Sequence, residues 1–115
     1  MSDRAQVLLV EVTCPDRASA ERIGRAAVAA RLAACANVGA PVRSIFRWQG
    51  AIESEDEVQL WLKTTEAAWP ALEALIRREH PYELPVVLAL PARCAPDVAA
   101  WAEGEVAPQS PTTGK

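Results

Sequence analysis

From Cys35 to Thr64 the chain carries two long extended runs, CANVGAPVRSIFRW and AIESEDEVQLWLKT, separated only by Gln49-Gly50. Gly50 supplies the positive φ that a tight reversal needs, so the two runs predict one long β-hairpin. In the first arm Val42, Ser44, Phe46 and Trp48 alternate with Arg43, Ile45 and Arg47, and Gly39 to Pro41 marks a bulge or bend. In the second arm Val58, Leu60 and Leu62 alternate with Gln59, Trp61 and Lys63, whereas ESEDE (53–57) is too charged for a core and reads as a solvated arm. A hairpin this long must be supported by other elements, and the flanking segments provide them.

Before it, QVLLVEV (6–12) is a nearly continuous apolar run of strand length, suited to the middle of a sheet. TCPD ends it, and Asp16 is placed to cap a helix over 17–33. Ile23, Ala27, Ala30 and Ala34 give that helix a narrow, small-residue face able to approach a sheet closely. After the hairpin, Trp69, Leu72, Leu75 and Ile76 predict a second helix beginning between Thr65 and Trp69 and ended by Pro81. VVLAL (86–90) predicts a last strand, and residues 95–106 a short helix capped by Asp97 and anchored by Trp101. The order β-α-β-β-α-β plus a final helix is that of an α+β, ferredoxin-like fold with an antiparallel sheet. Residues 1–107 form one domain on this reading, and 108–115 have the composition of a disordered tail. Trp48, Trp61, Ile45 and Phe46 are more apolar surface than a monomer leaves in water, which predicts a homo-oligomer.

A net charge of −3 with no basic stripe argues against nucleic-acid and anionic-membrane partners. No apolar run reaches membrane-spanning length, and the polar start MSDRAQ is unlike a signal peptide, so the expected location is the cytoplasm. Cys14, Cys35 and Cys94 form no C-x-x-C pair and read as reduced thiols. One histidine, no Ser/His/Asp set and no Gly-rich phosphate loop leave an enzyme as the least supported class.

The motifs TCPD, RLAACANV, SIFRWQG, EVQLWLKTT, PALEALIRREHPYELP and the closing Trp101, in this order over residues 7–103, resemble the CutA divalent-cation tolerance family. The resemblance implies a tight homotrimer, related in architecture to PII-type signal proteins, whose long hairpin reaches a neighbouring subunit. It also implies a role in divalent-cation tolerance with copper binding near the end of the first strand and at the histidine before Pro81. His80 matches that pattern; Glu79 stands where a second histidine is common, Val86 where an acid is, and Val12 where the strand cysteine is, with Cys14 two residues on.

His80 is therefore the candidate metal ligand, with Glu79 and Cys14, a mixed N/O/S set suited to Cu(II) or another divalent cation in a labile site. The competing reading of His80 is structural: an imidazole at a helix C-terminus interacts favourably with the helix dipole. Lys63 and Tyr82 are candidates for a small anionic ligand or a partner loop at an inter-subunit cleft, as in a PII-like sensory or scaffolding trimer.

Overall fold

A computed structural model describes residues 5–109. β1 (Gln6–Cys14) is the centre of a four-stranded antiparallel sheet, ordered β2-β3-β1-β4. It runs two residues past the predicted end because β3 holds it as far as Cys14, opposite Val58. Leu8, Val10, Val12 and Cys14 point to the helix-covered face, and Val10 and Val12 are sealed from solvent between both neighbours.

α1 (Arg17–Ala29) starts where Asp16, in extended backbone, accepts the Ser19 N–H at 2.8 Å through Oδ1. It stops four residues before the predicted end. Leu32 N–H returns to Ala27 O at 2.9 Å and Arg31 N–H to Val28 O at 3.0 Å, a Schellman closure with Arg31 at φ 59°. That site usually takes glycine, which is why the boundary is hidden in the sequence. Arg31 holds it because its guanidinium donates to Glu105 O and Gly104 O, both at 3.0 Å, and its own carbonyl accepts from Ala107 N–H. Ile23 and Ala27 are buried as predicted, whereas Ala30 is exposed beyond the helix end. Gly24 lies so close to the sheet that an added Cβ would meet Ala36 Cβ at 3.0 Å.

β2 (Cys35–Trp48) and β3 (Ala51–Thr64) form the predicted hairpin, with Gln49 at φ 51° and Gly50 at φ 83°. Two successive positive φ values match the right-handed twist of the arms. One extra residue between Val38 and Pro41 shifts the register from Val38↔Leu60 to Pro41↔Val58. The bulge keeps both residues on the helix-covered face. Beyond it the hairpin leaves the helices behind, and Ile45 and Ile52 are 73% and 70% exposed.

α2 (Trp69–Glu79) buries Leu72, Leu75 and Ile76 beside Ile23, and β4 (Val87–Arg93) closes the sheet along β1. β4 outlasts the predicted 86–90 through pairing of Gln6 with Arg93, and its Pro91 is tolerated on an edge strand. α3 (Pro96–Glu105) corrects two expectations. Its cap is Ala95, with Asp97 inside the first turn, where its charge meets the helix dipole. Its anchors are Ala102 and Val106; Trp101 is 42% exposed. The tail expected over 108–115 lies outside the described residues from 110 onward. No helix among the described residues is long and apolar enough to cross a membrane.

Candidate functional site at the His80 corner

His80 is the residue before Pro81, which forces it out of helical geometry, to φ −80° and ψ 137°. Its backbone N–H still closes α2 on Ile76 O at 2.8 Å, so the ring leaves the helix at a fixed angle. The ring turns inward, and the residue is only 6% exposed. Nε2 lies 2.7 Å from Thr13 O at the end of β1, and Nδ1 accepts the Tyr82 N–H at 3.1 Å. An amide N–H can only donate and a carbonyl can only accept, so the ring is the neutral Nε2–H tautomer and both nitrogens are occupied.

Tyr82 packs its ring against His80 with centroids 4.9 Å apart and reaches β3, where its hydroxyl donates to Glu57 Oε2 at 2.7 Å. Glu57 is itself 6% exposed. Burial, followed by the hydrogen bond to this carboxylate and its charge, pushes the Tyr82 phenol well above its ordinary range. Thr13, His80, Tyr82 and Glu57 thus tie the ends of β1 and α2 to the base of the hairpin arm. From this corner a groove of about 820 Å³ runs along the hairpin, walled by Phe46, Trp48 and Leu84 and edged by Glu53, Glu55 and Glu83.

The predicted metal ligands do not converge. Cys14 is sealed in the core on the helix-covered face, and burial, with Asp16 adding to it, pushes its thiol up to about 11. Glu79 turns to Arg22, whose Nη2 donates to its carbonyl at 3.1 Å and whose Nε lies 3.9 Å from Oε1. Among the described residues no three His, Cys, Asp or Glu side chains are grouped to hold a metal ion. A protonated core thiol, an ion-paired carboxylate and an imidazole with no free lone pair do not fit a preformed copper site.

Nor does one subunit bring Lys63 and Tyr82 together. Lys63 donates to Asn37 Oδ1 at 2.7 Å, while Tyr82 binds Glu57, six residues back along β3. At strand rise this is about 20 Å. The residues that the sequence did not single out are Glu57, hidden in the charged run ESEDE, Arg22, and the Thr13 carbonyl. For Glu57 the available signal was its position next to Val58, where the buried alternation begins.

The comparisons with known proteins agree with this architecture. Residues 8–105 match the family described as CutA1 divalent ion tolerance protein. The chain belongs to the CutA1 family. Protein CutA of Mus musculus is 46% identical over 80 residues, 70% of this chain and 45% of the mouse protein. This chain therefore spans less than half the length of that relative. The divalent-cation tolerance protein CutA of Thermus thermophilus is 41% identical over 83 residues, 72% of this chain and 81% of that protein. Among solved structures, CutA from Xylella fastidiosa superposes with a TM-score of 0.84 at 38% identity, covering 88% of this chain and 98% of the other. A mutant form of CutA1 from Pyrococcus horikoshii gives 0.84 at 34%, covering 88% and 99%. The ferredoxin-like order and the family predicted from the motifs are both borne out.

Proposed function

We propose that this chain serves divalent-cation tolerance in the cytoplasm as a homotrimer, without catalysis of its own, and that the Glu57–Tyr82–His80 corner is its working part. The observation that carries the proposal is the corner itself: the one histidine of a CutA1-family chain locks the end of α2 to β1 and, through Tyr82, to the hairpin. Assembly is supported by apolar surface left on the hairpin, at Ile45, Trp48 and Ile52, on the turn before β4, at Leu84, and on β4, at Leu88 and Leu90.

In this reading a cation such as Cu(II) would reach the Nδ1 lone pair of His80 by displacing the Tyr82 N–H, or Nε2 by displacing Thr13 O with loss of the Nε2 proton to solvent, so binding and opening of the corner are one event and the site is labile. The test is a chelator-competed calorimetric titration of the reduced protein with Cu(II) and Zn(II), beside His80→Ala. Sedimentation of both proteins checks the trimer. About one metal per subunit, lost in the variant, supports the proposal. Binding unchanged in the variant overturns the role of His80.

A second reading, a PII-like sensory or scaffolding trimer, is favoured by the groove along the hairpin. Glu53, Glu55, Glu57 and Glu83 outnumber Arg47 along that groove and suit it to a cationic partner loop.

A further inference from the structure

The sheet face turned away from the helices carries its charges at opposite ends. Val58, Leu60 and Leu62 are buried under the helices, so alternation along β3 places Glu53, Glu55, Glu57, Trp61 and Lys63 on the open face. Lys63 is the one cation among the described strand residues of that face. Its ammonium donates to Asn37 Oδ1 at 2.7 Å and forms no salt bridge among the described residues. The carboxylate of Glu11, on the same face of β1, is already taken by Gln59 Nε2.

Six residues back along β3, Glu57 presents the complementary lack. It is only 6% exposed, and its Oε2 accepts the Tyr82 hydroxyl. Its Oε1 has no hydrogen-bond partner among the described residues; no sealed side-chain oxygen lacks one, so Oε1 opens on the groove that Glu57 lines. Arg47, the cation along that groove, makes no ion pair with it. A carboxylate largely withdrawn from water without a cation is costly, and the aromatic walls Phe46 and Trp48 deepen the cost. The strand holds Lys63 about 20 Å from Glu57, so the two cannot meet within one subunit. Leu88 and Leu90 leave half-exposed apolar surface on the same face. Such a face, acid at one end, basic at the other and apolar beside them, is complementary to a second copy of itself.

We propose that Lys63 of the partner subunit enters this groove and donates to Glu57 Oε1, so that each subunit's acidic corner is completed by its neighbour. An ammonium has three protons, so Lys63 keeps its bond to Asn37 while it makes this one. Donor and acceptor are different patches of the chain, which makes the contact heterologous and lets it close in a ring of three. Lys63 and Tyr82, apart in one subunit, then share one site across two, and the Tyr82–His80 corner is tied to assembly. The inference rests on the homotrimer of the proposed function and uses no metal.

The test compares the full-length parent, Lys63→Gln, Glu57→Gln and the double variant by sedimentation over a dilution series. One urea concentration, the same for all, brings dissociation of the parent into range, and circular dichroism checks each fold. Each single change is expected to raise the subunit concentration at half-assembly about tenfold or more, because it strands the opposite charge. The double variant should lose no more than the worse single change, since both remove one contact. Losses that multiply in the double variant would overturn the pairing. A Lys63→Gln protein that assembles like the parent would overturn it as well, whether or not Glu57→Gln folds. A parent that sediments as a monomer would overturn this inference together with the homotrimer; a trimeric parent indifferent to Lys63→Gln would overturn this inference alone.

Discussion

Tyr82→Phe tests the corner most directly, because it removes one oxygen and leaves the ring in place against His80. Glu57 would then keep a carboxylate that is 6% exposed and has lost a 2.7 Å hydrogen bond. A hydrogen bond to a charged group contributes about 1.5–3 kcal/mol, and stranding its buried partner puts the loss toward the upper end. For a chain of this size that corresponds to a fall in Tm of roughly 5–12 °C. The assay is thermal unfolding at pH 7 and one fixed subunit concentration, since assembly would make Tm concentration-dependent. Glu57→Gln with Tyr82→Phe should cost less than the sum of the single changes, because the amide removes the stranded charge.

Alkaline pH supplies an independent readout of the same bond. The folded Tyr82 phenol titrates above its ordinary 10.0, so the folded protein holds a proton that the unfolded chain releases. The stability this contributes is complete below about pH 10 and falls as pH rises beyond it, and Tyr82→Phe should flatten that part of the decline. A loss below about 0.5 kcal/mol, with an alkaline limb unchanged from the parent, would refute the claim that this bond holds the corner.

Arg31→Ala should cost about 1–3 kcal/mol and raise hydrogen exchange chiefly over α3, because two guanidinium–carbonyl bonds at 3.0 Å are lost and a positive φ remains. Arg31→Gly should be the milder change, since glycine relieves the φ. Cys14 should resist a thiol reagent at pH 8 until the protein unfolds, as expected of a core thiol pushed up to about 11; stoichiometric counting of labelled cysteines against denaturant checks this. Ile45→Asp combined with Ile52→Asp should leave the fold intact and weaken self-association at least tenfold in sedimentation, because both side chains lie on the part of the hairpin that extends past the helices of its own subunit.

Much of the fold was legible because its signals are local. Alternation in β3, the 3.6-residue spacing of Leu72, Leu75 and Ile76, Asp16 before a helix and Gly50 in a reversal each depend on a few neighbouring residues. The errors fall where a distant contact overrides the local preference. α1 ends early at a non-glycine because the C-terminus of α3 offers Arg31 two carbonyls. Asp97 yields the cap of α3 to Ala95, and Trp101 gives way to Ala102 as the buried anchor, since the face that α3 presents is set by its docking on β1.

The candidate site divides in the same way. The two prolines around His80 and its place at the end of a helix are properties of the chain, and so the rigid corner could be read directly. What His80 does there could not. Its partners are the Thr13 carbonyl, 67 residues away, and the amide of Tyr82, whose hydroxyl runs on to Glu57. Composition alone determined which groups exist: one imidazole, three thiols, an acidic arm. Tertiary structure decided which lone pairs remain free, because burial removes water and obliges every polar atom to take a partner from whatever strand or turn packs against it. That requirement engaged both ring nitrogens of His80, the expected copper ligand, in holding a corner, and it set an ordinary-looking strand-end lysine beside a thiol.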